Sequence, residues 1–138
     1  MAEGIACFAT INEALNQIPY AKLLGIQAVD RDGLPEFFLP FAEHNIGNVL
    51  LPAIHGGVIG GFLENAAVLH LMWAQESNEI PRIVDFSIDY LRSARALDLH
   101  ARCEIVRQGK RVANVLMTAW QDDESQPVAT ARAHFLLS

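Results

Sequence analysis

Twenty consecutive residues, Gly56 to Gln75, carry a single charged side chain, Glu64. Within them Val58, Ile59, Phe62, Leu63, Ala66, Ala67, Leu69, His70 and Trp73 recur at helical spacing. A helix that is apolar on most faces has to be covered by the rest of its domain, and the economical cover is a sheet wrapped around it. Four glycines, at 56, 57, 60 and 61, fall in its first two turns. Each costs up to about 1 kcal/mol against alanine in a helix interior. Their presence implies that something approaches the backbone closely there.

After a loop at 76–81 the apolar period changes to two. Val84, Phe86, Ile88 and Tyr90 are expected on one face, with Asp85, Ser87 and Asp89 on the other. Leu97 to Ile105 alternate in the same way, a turn follows at Gln108-Gly109-Lys110, and strands are predicted over 111–121 and 128–136. The four strands are expected to form an antiparallel meander. Upstream, Thr10-Ile11-Asn12-Glu13 has the form of a capping box before a short helix ending at Gln17. Pro19 opens a second helical turn to Leu24 that Gly25 ends. Strands at 26–31 and 34–39 meet at Asp32-Gly33, a hairpin pair, and 40–54 reads as an irregular loop. The expected class is α+β: one long helix with five or six strands, a single domain over 1–138 with residues 1–18 as an N-terminal helical extension.

Composition narrows the function classes. With 51% apolar residues in 138, the chain can bury a real core, which excludes intrinsic disorder. A net charge of −6 argues against nucleic acid held by bulk charge. The charge is uneven: residues 1–79 hold nine acids and two bases, whereas residues 80–138 hold seven acids and eight bases. A basic half on an acidic chain suits a local anionic ligand, with solvated strand faces as the plain alternative. Cys7 and Cys103 lie far apart without a CxxC, so neither a disulfide framework nor a zinc site is expected, and no cofactor is called for. Met1 to Ala9 carry Glu3 and no Lys or Arg, unlike a secretory signal. The uncharged stretch from His44 to Leu63 is too polar and too glycine-rich for a bilayer span. The expectation is a cytoplasmic protein without membrane or nucleic-acid partners.

Glu64 is the most informative residue. A carboxylate inside a greasy helix costs several kcal/mol or shifts its pKa upward unless it is partnered. Gly57 precedes it by seven residues, so Gly57, Gly60, Gly61 and Glu64 share one stripe. His55, nine residues before Glu64, lies about half a turn away, which rules out a helical dyad or metal pair. A helix start with bare amides can stabilise an oxyanion, and a carboxylate further in can activate water or attack a carbonyl. Together they suit acyl transfer to water. The structural alternative is an ion pair between Glu64 and an Arg across an oligomer interface.

Ile54-His55-Gly56-Gly57-Val58-Ile59, followed by an acid nine residues after the His, resembles the PaaI-like acyl-CoA thioesterases of the hotdog superfamily. Tyr20 to Gly25, Val84 to Ala94 and Arg107-Gln108-Gly109-Lys110-Arg111 carry the likeness over residues 19–137. The resemblance implies a hotdog fold, one helix wrapped by a five- or six-strand antiparallel sheet. It also implies an acyl-CoA substrate and a homodimer or dimer of dimers with sites between subunits. Glu64 matches the catalytic acid, and Gly56 or Gly57 matches the backbone donor at the helix start. Asn48, with Asn45 as second candidate, matches the asparagine that places water or thioester. The segment Leu50-Leu51-Pro52-Ala53 is about one residue longer than the common spacing. Ile83 stands where relatives carry a Ser or Thr, leaving Ser87 as a substitute, and Arg92-Ser93 replaces an Arg-Pro.

His55 reads as an anchor of the loop–helix junction, with proton transfer as its alternative role. Arg92, Lys110 and Arg111 are candidates to hold CoA phosphates. Two other readings stay open. One is a 3-hydroxyacyl thioester dehydratase or hydratase, for which Phe41-Ala42-Glu43-His44 offers a loop His. The other is a non-catalytic acyl-CoA-binding protein.

Overall fold

Residues 8–137 are described by a computed structural model. Helix α1 (Phe8–Asn16) buries Ile11, Ala14 and Leu15. It is already helical at Phe8, so Thr10 lies inside the helix and is not its cap. Helix α2 (Pro19–Leu24) ends at Gly25, whose φ of 79° lets its N–H reach the carbonyls of Ala21 and Lys22. Strands β1 (Gln27–Arg31) and β2 (Leu34–Leu39) form the expected hairpin. Asp32 and Gly33 both take positive φ, and Asp30 Oδ1 accepts the Gly33 N–H at 2.8 Å.

The segment expected to be irregular holds a 3-10 turn at Glu43–Asn45 and a small ribbon, β3 (Ile46–Asn48) with β4 (Ala53–Ile54). Helix α3 follows over Gly56–Gln75. The remaining strands are β5 (Arg82–Tyr90), β6 (Leu99–Gln108), β7 (Val112–Trp120) and β8 (Ala129–Leu136). By length and composition α3 could cross a membrane, but Phe62, Leu63, Ala66, Ala67, Leu69 and Leu71 are fully enclosed by the domain. Alanines at 101, 113, 119, 129 and 133 line the inner face of the sheet and are themselves fully buried. Their small side chains let the helix seat closely.

The sheet is six-stranded and antiparallel, in the order β1-β2-β6-β7-β8-β5. The expected four-strand meander is therefore corrected: β6, β7 and β8 do meander, but β5 pairs with β8 and forms the far edge. Residues 91–98 separate β5 from β6, which is too long for a tight hairpin and long enough to cross the end of the sheet. A bulge between Ile83 and Asp85 corrects the inner face as well. Ile83 pairs with buried Phe135, and Phe86 pairs with buried Ala133. Ile83, Phe86, Ile88 and Tyr90 thus face inward, while Val84 falls in the bulge and is 56% exposed.

The outer face holds an ion cluster that composition did not reveal. Glu36 is buried on β2, with Arg31 Nε at 3.2 Å, His100 Nδ1 at 3.3 Å and Arg102 Nη2 at 3.7 Å. Arg102 also reaches Glu124 at 3.0 Å and lies over the Trp120 ring. Cys103 is buried on β6 and burial pushes its thiol pKa up; Cys7 lies outside the described residues.

His70 is buried on α3, its Nδ1 has no hydrogen-bond partner among the described residues, and burial lowers its pKa to about 4. The unfolded chain takes up this proton near pH 6.5, so the stability attached to neutral His70 is present above pH 6.5 and is lost as pH falls toward 4. Between pH 7.5 and pH 4.5 this single group is expected to cost about 2–3 kcal/mol. Urea unfolding of wild type and His70→Leu at both pH values checks it: on acidification wild type should lose about 2–3 kcal/mol more than the variant does. Parallel pH profiles would contradict the assignment.

Candidate active site

His55 organises the start of α3. Its backbone N–H donates to the Asn45 carbonyl at 2.8 Å, and its Nδ1 accepts the Gly57 N–H at 2.9 Å. A ring nitrogen that accepts carries no proton, so the imidazole proton sits on Nε2 and the ring acts as the helix N-cap. The cap explains two glycines. An added Cβ would stand 2.9 Å from the His55 Cα at Gly47 and 3.0 Å from the ring at Gly57.

This cap divides the two candidate oxyanion donors. The Gly57 N–H is occupied by His55, and the Val58 and Ile59 amides both donate to the His55 carbonyl. Gly56 stands at the first helical position, where no intrahelical acceptor exists. Among the described residues its N–H has no partner.

The two asparagines separate in the same way. Asn48 is exposed, and its Oδ1 accepts from the Leu50 and Leu51 amides at 3.0 and 3.3 Å, bracing the loop tip. Asn45 is 4% exposed, and its Nδ2 is enclosed without any acceptor among the described residues. The bond from His55 N–H to the Asn45 carbonyl ties this orphan donor to the helix start.

Tyr90, which sequence patterns did not single out, also belongs here. Its hydroxyl donates to the Gly56 carbonyl at 2.7 Å, and a Cβ on Gly56 would come within 3.2 Å of the phenol. Gly61 is approached by Tyr20, whose Cε2 would lie 2.6 Å from an added Cβ. The expected close approach to the glycine stripe is thus made by the chain's own rings. The only signal for Tyr90 was an aromatic residue ending the inner face of β5.

Glu64 is half-buried rather than enclosed as expected. Among the described residues it makes no hydrogen bond and no ion pair. Eight residues separate Gly56 from Glu64, which is about 12 Å along the helix axis. A glutamate side chain leaning toward the helix N-terminus covers about one turn of that gap.

Ser87 lies on the outer face of β5, paired with Arg132, while its neighbours Phe86 and Ile88 face α3. Within one chain the fold does not bring Ser87 to Glu64. Arg92 follows Tyr90 at the Gly56 end, its Nε donating to the Pro127 carbonyl at 3.0 Å and its Nη1 to Gln126 at 3.3 Å. Lys110 and Arg111 sit at the opposite end, in the β6–β7 turn. There, clefts of about 560 and 440 Å3 share Arg111, the first also lined by Glu79 and Arg82 and the second by Arg107 and His134. Among the described residues no group of three metal-ligating side chains forms.

A family model described as the acyl-CoA thioesterase N-terminal domain matches residues 49–136. No protein of curated function matches the chain. Among solved structures, a Chromobacterium violaceum protein is 52% identical, with a TM-score of 0.77, covering 94% of this chain and 90% of that one. A putative thioesterase from Ralstonia eutropha JMP134, described as phenylacetic acid degradation-related, is 23% identical, with a TM-score of 0.77 over 92% and 98% of the two chains. A Bacillus halodurans protein solved with CoA is 22% identical, with a TM-score of 0.74 over 94% and 90%. The long helix against a six-strand antiparallel sheet is the hotdog architecture these neighbours share.

Proposed function

The chain belongs to the acyl-CoA thioesterase family and is a thioester hydrolase, and on that premise we propose that Glu64 of one copy and the α3 start of a second copy form its catalytic site. The observation that carries this reading is the separation within one chain. Among the described residues the partnerless Glu64 and the free Gly56 amide stand eight residues, about 12 Å of helix axis, apart, and a side chain leaning toward the N-terminus closes about one turn of that. The attacking water must sit about 3–3.5 Å from the thioester carbon and within hydrogen-bond reach of the carboxylate, while the donors hold the oxygen on that same carbon. A facing copy brings its donors to the carboxylate without the axial gap, so the reading takes the acid from one copy and the donors from another. The outer edge of β5 supports the pairing, since among the described residues that strand bonds only to β8 and leaves its other edge open to a second copy.

Within that site the Glu64 carboxylate takes a proton from water as the water oxygen bonds to the thioester carbon. The electrons displaced onto the carbonyl oxygen are held by the Gly56 N–H and the Asn45 Nδ2–H of the second copy. The carbon–sulfur bond then breaks, and CoA leaves as its thiolate, which is reprotonated from solvent. His55 caps and Tyr90 braces the donor peptide; neither moves a proton. Arg92, at the Gly56 end, and Lys110 with Arg111 of a neighbouring copy hold the nucleotide phosphates. The CoA found in the Bacillus halodurans neighbour supports a CoA thioester as substrate.

The hydratase reading has less support: His44 is exposed on the 3-10 turn and shares no hydrogen bond or ion pair with Glu64. The test is release of free thiol from a panel of acyl-CoAs by wild type and Glu64→Gln. Equal rates would overturn the assignment.

A further inference from the structure

We propose that Tyr20 is a specificity-determining residue that sets the length of the acyl group admitted beside Glu64. The inference rests on the catalytic reading above and extends it to the substrate. Helix α2 is pinned to the core by Ala21 and Leu24, which leaves Tyr20 on its outer side, 45% exposed. From there the phenol ring crosses to α3. An added Cβ on Gly61 would lie 2.6 Å from Tyr20 Cε2 and 2.9 Å from its hydroxyl. On the other side of the stripe, a Cβ on Gly60 would lie 3.8 Å from the Tyr90 hydroxyl and 3.9 Å from Phe86 Cε2.

The Tyr20 ring thus lies on Gly61 and fills the place a side chain would take there, while the Tyr90 hydroxyl and Phe86 stand at contact distance over Gly60. Glu64 is the next polar group along the same stripe, one turn on, and helix side chains lean toward the N-terminus. An acyl group whose carbonyl meets that carboxylate runs its first carbons against these rings. The helix beneath cannot give way, because Phe62 and Leu63 are fully buried. The two tyrosines differ in stiffness. Tyr90 is tied by its hydroxyl to the Gly56 carbonyl, whereas the Tyr20 hydroxyl makes no hydrogen bond among the described residues. Tyr20 is therefore the ring that can yield, and its bulk decides how far an acyl chain reaches.

The experiment is kcat/KM for straight-chain acyl-CoAs from acetyl to dodecanoyl, for wild type, Tyr20→Phe, Tyr20→Leu and Tyr20→Ala, with melting temperatures alongside. Tyr20→Phe keeps the wild-type chain-length optimum. Tyr20→Leu and then Tyr20→Ala move it toward longer chains, with kcat/KM for the longer substrates rising about tenfold relative to acetyl-CoA. A uniform loss at every chain length, or an unchanged profile in Tyr20→Ala, overturns the inference. Glu64→Gln on the same panel keeps the two readings apart. If it is inactive while the Tyr20→Ala profile is unchanged, the specificity inference alone fails; if it is as active as wild type, the catalytic reading fails too.

Discussion

Glu64→Gln is expected to slow thiol release from acyl-CoA by about 10³-fold, close to 4 kcal/mol of transition-state stabilisation, with little change in KM. Glutamine has nearly the same shape but cannot take a proton from water. The carboxylate makes no hydrogen bond or ion pair among the described residues, so its replacement removes no native contact and the melting temperature should hold or rise slightly. That separation of rate from stability is informative. A structural ion-pair role predicts the reverse, a stability loss with activity following it. A fall in kcat of less than threefold would remove Glu64 from the chemistry. Single turnover in oxygen-18 water then distinguishes its two modes, since only attack through a mixed anhydride transfers label into the Glu64 carboxylate.

Asn45→Ala should give the second largest effect, a loss of about 10²-fold in kcat, as expected for one oxyanion donor. Among the described residues the Asn45 Nδ2 is enclosed without an acceptor, a state that costs about 1–3 kcal/mol in a folded protein. Removing it should leave stability unchanged or raise it. Activity and melting temperature therefore move independently or in opposite directions. Should Asn45→Ala instead keep full activity and melt several degrees lower, the amide belongs to the loop and not to the site.

Much of the fold was legible because it is written in local patterns. One charge in twenty residues announces α3, and the Asp32-Gly33 pair announces the β1–β2 hairpin. The position of β5 was not legible. Its pairing with β8 joins residues 49 apart, such as Asp85 and His134, and no local period encodes which strand a connection of that length selects. The site divides along the same line. The HGG start and Glu64 stand out because glycines and a carboxylate are costly in an apolar helix. The choice between Asn45 and Asn48 depends on which amide the folded loop encloses, and spacing says nothing about enclosure. Tyr90 acts through a hydrogen bond to a residue 34 positions away, so it reads in sequence as one more inward-facing aromatic. The glycine stripe signalled close approach correctly but could not say that His55, Tyr90 and Tyr20 do the approaching.

The claim that one copy supplies the acid and another the donors is tested most directly by subunit complementation. Glu64→Gln and Asn45→Ala chains are each nearly inactive alone, and are unfolded and refolded together at equal concentrations. Half of the dimers are then mixed, and in each mixed dimer one of the two sites draws Glu64 from one chain and Asn45 with Gly56 from the other, both intact. Activity should recover to about a quarter of the wild-type value, as the symmetry of a two-fold dimer requires. A mixture no more active than its two parents would show that each site is built within one chain, and a catalytic centre shared between copies would be ruled out.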